Sequence, residues 1–538
     1  MAAQLQKQPE EVPNQSAEVQ NRPEETGLTT TQWIGFFSMA IGVFMAVLDI
    51  QIVASSLKEI QAGLSATQDE IAWVQTSYLI AEVIIIPLSG WLGRVFSTRY
   101  LYAISAGGFT LASLLCAFAW NLPSMVMFRL IQGFLGGAMI PVTFTVIFIL
   151  FPPRLQPAMT IVLGLIVTIA PTAGPVLGGF LTENYSWQSL FLVNVVPGIV
   201  VCVLVWLTVD IDQPEWHLLQ KIDFIGIALI AVCLGCMQYV LEEGVRYQWF
   251  EDRLIMTLTL IAVVSGIAML IWELKNPHPI IDLRAFRNVN FAVGCLYSFV
   301  LGIGLFTIIY LVPIYLGSVK GLNSLQIGYY LMVVGLFQLL SAFIAGPLEK
   351  KMDLRWMLCL GFGLFALGCW MNAGLTAESG YWEFFWPQAI RGTALMLCFL
   401  PINTLALGLL PIEEVKNASG LYNLMRNLGG AIGLAVANTL VSYLTKSHYA
   451  DLRESMTATD YPAQQLWEGL AESMGQFNLS EPSSAALKQI TALAWREAEV
   501  MTFNNLFQII AVIFLGSLVI APFLKKVDSE KVGSIQME

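Results

Sequence analysis

With 538 residues, 56% of them hydrophobic and only 12% charged, and a mean hydropathy of +0.68, the chain is far too apolar for a soluble globular protein. That composition points to an all-α integral membrane protein with many crossings, because a lipid-buried backbone must satisfy its own hydrogen bonds. The formal charge of -11 sits mainly in loops and tails, so it signals no nucleic-acid or anionic-lipid partner.

Residues 1–32 form a polar, Glu-rich tail without a short apolar core and cleavage site, so the first span is expected to act as the anchor. About fourteen stretches are long and apolar enough to cross a bilayer. The first six are predicted at Trp33 to Ser55, Ile71 to Leu92, Tyr100 to Ala119, Leu122 to Phe148, Met159 to Leu181 and Leu190 to Val209. Two more follow at Phe224 to Leu241 and Leu254 to Trp272. The last six are Phe291 to Tyr310, Ile327 to Leu348, Trp356 to Ala373, Phe384 to Leu409, Ala418 to Tyr443 and Phe503 to Leu524. Loops after the even-numbered spans carry most of the loop Lys and Arg, including Arg94, Arg99, Arg154, Lys221, Arg284, Lys351 and Lys416, which predicts cytoplasmic termini.

The first span holds Asp49 and the second holds Glu82, in "YLIAEVIIIPLSG". Of the thirty-eight acids these two lie well inside spans, where a carboxylate costs about 2.5 to 3.5 kcal/mol on insertion scales and normally marks a pathway. Burial favours the protonated carboxylate and a nearby cation the ionised one, so such acids suit proton coupling or recognition of a cationic substrate. They also suit a plain interhelical hydrogen bond, and their depths allow them to line one cavity at different heights. His217, His278 and His448 are all placed in loops and do not compete for the role. In the fourth span Arg129, with Gln132 one turn on, is placed to modulate a neighbouring acid, or to build a structural network. Arg391 and Arg426 are the other arginines in or beside spans.

The fifth span reads "APTAGPVLGGF". Pro171 and Pro175 remove helix hydrogen bonds while Gly174, Gly178 and Gly179 permit bending and close contact, which predicts a bent helix at a bundle interface. The eight cysteines fall inside apolar spans, and even the Cys233/Cys236 pair is read as packing rather than redox chemistry. Residues 445–501 form the one large outer loop; its second part, from Pro482 and Ser483, has helical spacing and is expected to cap the outer mouth or to dock a periplasmic partner.

"GWLGRVFSTRYL" from Gly90 is echoed by "GPLEKKMDLRWM" from Gly346, and "RLIQGFLGGAMIP" from Arg129 by "RGTALMLCFLP" from Arg391. Two six-helix halves with two helices between them follow, the repeat logic of a secondary transporter. The division is a tail at 1–32, a bundle at 33–210, two inserted helices at 211–275, a second bundle at 276–524 and a cytoplasmic tail at 525–538.

These residues together resemble the major facilitator superfamily, in its fourteen-helix drug:proton antiporter branch, the EmrB and QacA type. "LDIQIVASSL" is similar to that branch's first-helix motif and places Asp49 on the family's acid. "RLIQGFLGG" matches the fourth-helix motif at Arg129, Gln132, Gly133, Gly136 and Gly137, and "AGPVLGGF" matches the fifth-helix antiporter motif at Gly174, Pro175, Gly178 and Gly179. "YSWQSLFLVNVVPG" resembles the stretch that follows it, and "ASGLYNLMRNLGGAIG" the penultimate-helix signature at Asn423, Arg426, Gly429 and Gly430. Three positions depart from the pattern. Arg94 and Ser97 stand where the loop motif carries Asp and Gly, so the usual acid latch is absent or rebuilt, and Gln51 stands where Thr is common.

The resemblance implies the major facilitator fold and export of lipophilic drugs or toxic compounds across an inner membrane. The proton gradient would supply the energy and no cofactor would be needed. It also implies a periplasmic adaptor and an outer-membrane channel as partners in a tripartite system, and the plan is most similar to the EmrB type. Export of one metabolite, such as a siderophore or a fatty acid, fits equally. A membrane acyltransferase is disfavoured because the histidines lack an H-x-x-x-x-D or H-E-x-x-H spacing, and an ATP-driven pump because no phosphate-binding loop motif occurs.

Overall fold

The computed structural model describes residues 28–524 except 68–69, 456–463, 466, 471 and 473–481. The tail at 525–538, most of the tail at 1–32 and the middle of the outer loop lie outside the described residues. Helices account for nearly all of the rest: α1 (Thr30–Ser55), α2 (Leu57–Leu64), α3 (Trp73–Ala117), α4 (Leu122–Gly136), α5 (Met139–Leu150), α6 (Gln156–Asn184), α7 (Ser189–Leu192) and α8 (Val195–Thr208). Then come α9 (Phe224–Glu243), α10 (Arg253–Lys275), α11 (Val289–Ser318), α12 (Ser324–Lys351), α13 (Leu354–Asn372), α14 (Tyr381–Leu407), α15 (Ile412–Ser455) and α16 (Pro482–Ser517).

Polar residues at the membrane edges set where the helices begin. Thr29 and Gln32 form a reciprocal capping box on α1, Asn121 and Ser124 do the same on α4, and Asp252 accepts from the first free amides of α10. Each cap satisfies donors that have no helical partner.

Among the described residues twelve helices are long and apolar enough to cross a membrane, and the bent α6 makes a thirteenth. In α3 two predicted spans run on as one 45-residue helix. At about 1.5 Å per residue that is roughly 67 Å, twice a hydrocarbon core of about 30 Å. Ser97, at φ 70° and ψ 159°, is the break between its two crossings. The expected basic turn is therefore one residue of non-helical backbone, and the helices accommodate the fourteen-crossing plan.

In α6 the two arms meet at 43° next to Pro171, where proline removes a backbone donor. α1 packs on α6 and α8, and α3 on α4 and α8. Further along, α12 and α13 both pack on α14, α11 packs on α15, and α15 also crosses α3 and α5. α9 and α10 pack on each other, with α9 touching α3. Leu260, Val263, Val264 and Ile267 on α10 stay exposed, as suits a face turned to lipid.

The outer segment 445–501 corrects one expectation. α15 does not stop near Tyr443; it runs on to Ser455 and carries His448, which is thus a helix residue rather than a loop residue. His448 pairs with Asn505 Nδ2 at 3.0 Å, Thr445 meets Thr502 at 3.2 Å and the rings of Tyr449 and Trp495 lie 5.3 Å apart. The ends of the loop are thus a helical hairpin built from α15 and α16.

Candidate functional site

Asp49 is fully buried on α1. Arg129 of α4 donates from Nη1 to its Oδ2 at 2.5 Å, and Gln132 Nε2 and Asn194 Nδ2 donate to its Oδ1 at 3.1 and 2.7 Å. The guanidinium also donates from Nε to the Val74 carbonyl at 3.0 Å and from Nη1 to Gln132 Oε1 at 2.8 Å, and it lies 4.3 Å from the centre of the Tyr78 ring. Ser113 accepts from both amides, and the Cys116 thiol donates to Gln132. Residues from α1, α3 and α4 and from Asn194, just before α8, thus converge on one ion pair with no water-exposed face.

The sequence explains how these helices come so close. Gly133 lies against the Tyr78 carbonyl, where any Cβ would clash, and a Cβ at Gly137 would meet Glu82 Cγ at 2.9 Å. One stretch of α4 therefore supplies the cation and the amide, and then the glycines that let α3 approach. On α6, Gly174 packs on Gln51, and a Cβ at Gly178 would meet Ser55 Oγ at 2.6 Å. The position that departs from the family pattern, Gln51, is thus a contact of the fifth-helix motif. Pro175 and Gly179 are half-buried on the same helix.

Glu82 behaves differently. It is 5% exposed, one turn beyond Tyr78 on α3, and makes no hydrogen bond or ion pair among the described residues. Asp49 is enclosed by its network, whereas Glu82 has no such set of partners among the described residues. Arg391 and Arg426 are buried away from that network. Arg426 sits among the rings of Phe399, Tyr422 and Phe144, while Asn423 donates to the Ser419 carbonyl of its own helix at 2.9 Å.

Sequence reasoning missed Asn194, Ser113, Cys116 and Tyr78 as parts of the network. Asn194 and Tyr78 stood in quoted motifs, but small polar side chains in apolar runs are common and carry no charge signal. Further acids are buried at helix ends: Glu243, which accepts from Thr76 and Arg246, Glu349, which accepts from Thr404, and Glu273.

The latch is rebuilt. At the break in α3 the Thr98 amide donates to both Asp212 oxygens at 2.9 and 3.1 Å, and Lys416 of α15 pairs with Asp212 while donating to the Gly93 carbonyl at 3.3 Å. An acid from after α8 thus caps the second crossing of α3 and ties it to α15. A Cβ at Gly90 would meet the Lys416 carbonyl at 2.5 Å, so the backbones touch there.

The sequence pattern of the Major Facilitator Superfamily matches residues 39–434. The chain belongs to the Major Facilitator Superfamily. Among relatives in this superfamily, it is 39% identical over 496 residues to the colistin resistance protein EmrB of Acinetobacter baumannii, covering 92% of this chain and 97% of that one. It is 31% identical to the multidrug export protein EmrB of Escherichia coli (strain K12), covering 91% and 94%. The proton:xylose symporter XylE, another major facilitator, superimposes with a TM-score of 0.56 at 12% identity over 94% of this chain and 98% of that one, which shows the shared fold.

Proposed function

We propose that this major facilitator protein is a proton-driven exporter of lipophilic toxic compounds, and that the buried Asp49–Arg129 pair couples proton movement to export. The observation that carries the reading is the pair itself. It joins helices from separate parts of the chain, so a shift of α1 against α4 separates carboxylate from guanidinium. A carboxylate that loses its cation takes up a proton, and one that regains it releases the proton. Gln132 and Asn194 hold Asp49 in place, and Glu82, which has no hydrogen-bond partner among the described residues, is the second exchanging acid. Gly133, Gly174, Pro175, Gly178 and Gly179 provide the close contacts and the bend that let helices slide, while Asn423, Arg426 and Arg391 line the other half.

The division assigned is a bundle at 33–210, inserted helices at 211–275 and a bundle at 276–524, with both termini cytoplasmic in an inner membrane. The relatives' names as multidrug and colistin resistance proteins support efflux. The hairpin of α15 and α16 is the surface assigned to a periplasmic adaptor, which in turn would meet an outer-membrane channel. Reconstituted in liposomes with a pH-sensitive dye inside, the wild type should release protons when a lipophilic substrate is added, and Asp49→Asn should not. Full dye-dependent proton release by Asp49→Asn would overturn the coupling assignment.

A further inference from the structure

The three buried arginines differ in what compensates their charge. Arg129 has Asp49. Arg426 has three aromatic faces with centroids 4.6 to 5.4 Å away, an attraction for a cation. Arg391, 5% exposed, makes no hydrogen bond, ion pair or ring contact among the described residues, and its Nη1 is wholly buried without a partner. Taking a charge out of water costs several kcal/mol unless an opposite charge or a set of hydrogen bonds replaces the lost hydration.

The internal repeat accounts for the vacancy. Arg391 stands in α14 where the repeat places Arg129 in α4, yet the helix that faces it through Leu305 and Ile308, α11, contains no Asp or Glu. The arginine is repeated and its acid is not. Around it Ile309, Leu331, Val334 and Phe365 complete an apolar wall, closed by Thr168 of the bent α6, about a cavity of about 30 Å³. That space admits about one water, which would satisfy a donor but not a charge.

More donors lie close by. Gln388, one turn before Arg391, and Asn372 of α13 are both fully buried, and neither has a partner for its amide oxygen or nitrogen among the described residues. Gly361 meets Cys398 and Gly368 meets Arg391 and Pro387, so α13 and α14 run antiparallel in a register that brings Asn372 to the turn that holds Gln388. Orphaned buried amides are rare in folded proteins because each costs about 1–3 kcal/mol.

We propose that Arg391 is the anchor for a negatively charged group on the cargo, a carboxylate or phenolate on a hydrocarbon or aromatic body, with Gln388 and Asn372 as supporting donors. The apolar wall takes the body and Arg391 supplies the counter-charge that the protein leaves out; entry of the body requires α6 and α12 to part. The inference rests on the exporter reading above and names the class of its substrate.

The test uses the full chain in lipid nanodiscs at neutral pH with no proton gradient, and measures direct binding of decanoate, methyl decanoate and decyltrimethylammonium. The wild type should bind decanoate at least about tenfold more tightly than either of the others. Arg391→Gln should erase that preference and Arg391→Lys should keep most of it. Equal affinity of the wild type for all three probes overturns the proposal, and so does a preference that survives in Arg391→Gln. If Arg391→Gln does not fold, the wild-type comparison decides alone. Because no gradient is applied, failure here leaves the exporter reading standing, whereas decanoate binding without transport in proteoliposomes would count against export only.

Discussion

Arg129 and Asp49 illustrate why a buried pair is easier to break than to assess. Removing one partner strands the other in apolar surroundings, at a cost of about 3–5 kcal/mol, while replacing both with apolar groups of similar volume is close to neutral. Asp49→Ala alone should therefore lower the unfolding midpoint of the detergent-solubilised protein by several degrees. Asp49→Ala combined with Arg129→Met should regain most of that loss, yet neither variant should couple proton release to export. A double variant that stays as unstable as the single one would show that the remaining partners, Gln132 and Asn194, carry the network. Asn194→Ala removes one 2.7 Å hydrogen bond to Asp49 and should cost about 1–3 kcal/mol, the usual range when a buried acceptor loses its donor. Of these residues Asp49 and Arg129 were legible in the sequence, because a charge in an apolar run is conspicuous. Their pairing across 80 residues of chain was not, since nothing in either span says which helix it will face.

At the level of elements, contacts between helices depend on where side chains are missing. Gly133→Val would drive a branched side chain into the backbone at Tyr78, forcing α3 and α4 apart and costing about 1–3 kcal/mol or more through overpacking. Expression and thermal stability should fall together. The link between α3 and α15 can be read by hydrogen exchange. Amides of residues 90–98 and 412–420 should exchange faster in Lys416→Ala and in Asp212→Ala, most around Thr98 in Asp212→Ala because that variant also loses the cap on Thr98, and the double variant should fall short of the sum of the two because the Asp212–Lys416 pair is lost in both. Additive effects would show that Asp212 and Lys416 act separately. The sequence showed that the usual acid was missing at Arg94, but Asp212 lies far along the chain in an unremarkable polar connector, so its arrival at Thr98 was invisible before folding. The bend in α6 was legible, because Pro171 and Pro175 act on their own backbone.

Across the whole molecule, the hairpin of α15 and α16 stands beyond the spans and holds itself together through His448–Asn505, Thr445–Thr502 and Tyr449–Trp495. Replacing residues 456–481 by a short Gly-Ser linker should leave proton-coupled transport in liposomes unchanged and reduce drug resistance of cells that contain a periplasmic adaptor. An equal loss in both assays would place the segment in the transport cycle instead of at a docking surface.

What the sequence alone determined is the number and order of the crossings, the two deep acids, the repeat of Arg129 in Arg391, and the glycine and proline positions of α4 and α6. Lipid imposes those features locally: each crossing needs about 20 apolar residues with internally paired backbone, and each exception is visible against that background. Only the tertiary structure decided that Asp49 is locked to Arg129 while Glu82 and Arg391 are left without partners among the described residues, that Asp212 takes over at the break in α3, and that α15 runs on as one helix to Ser455 and carries His448. Those outcomes depend on which helices become neighbours, and in an apolar medium that choice is made by shape, through glycine contacts and a few polar pairs, rather than by any pattern along one helix.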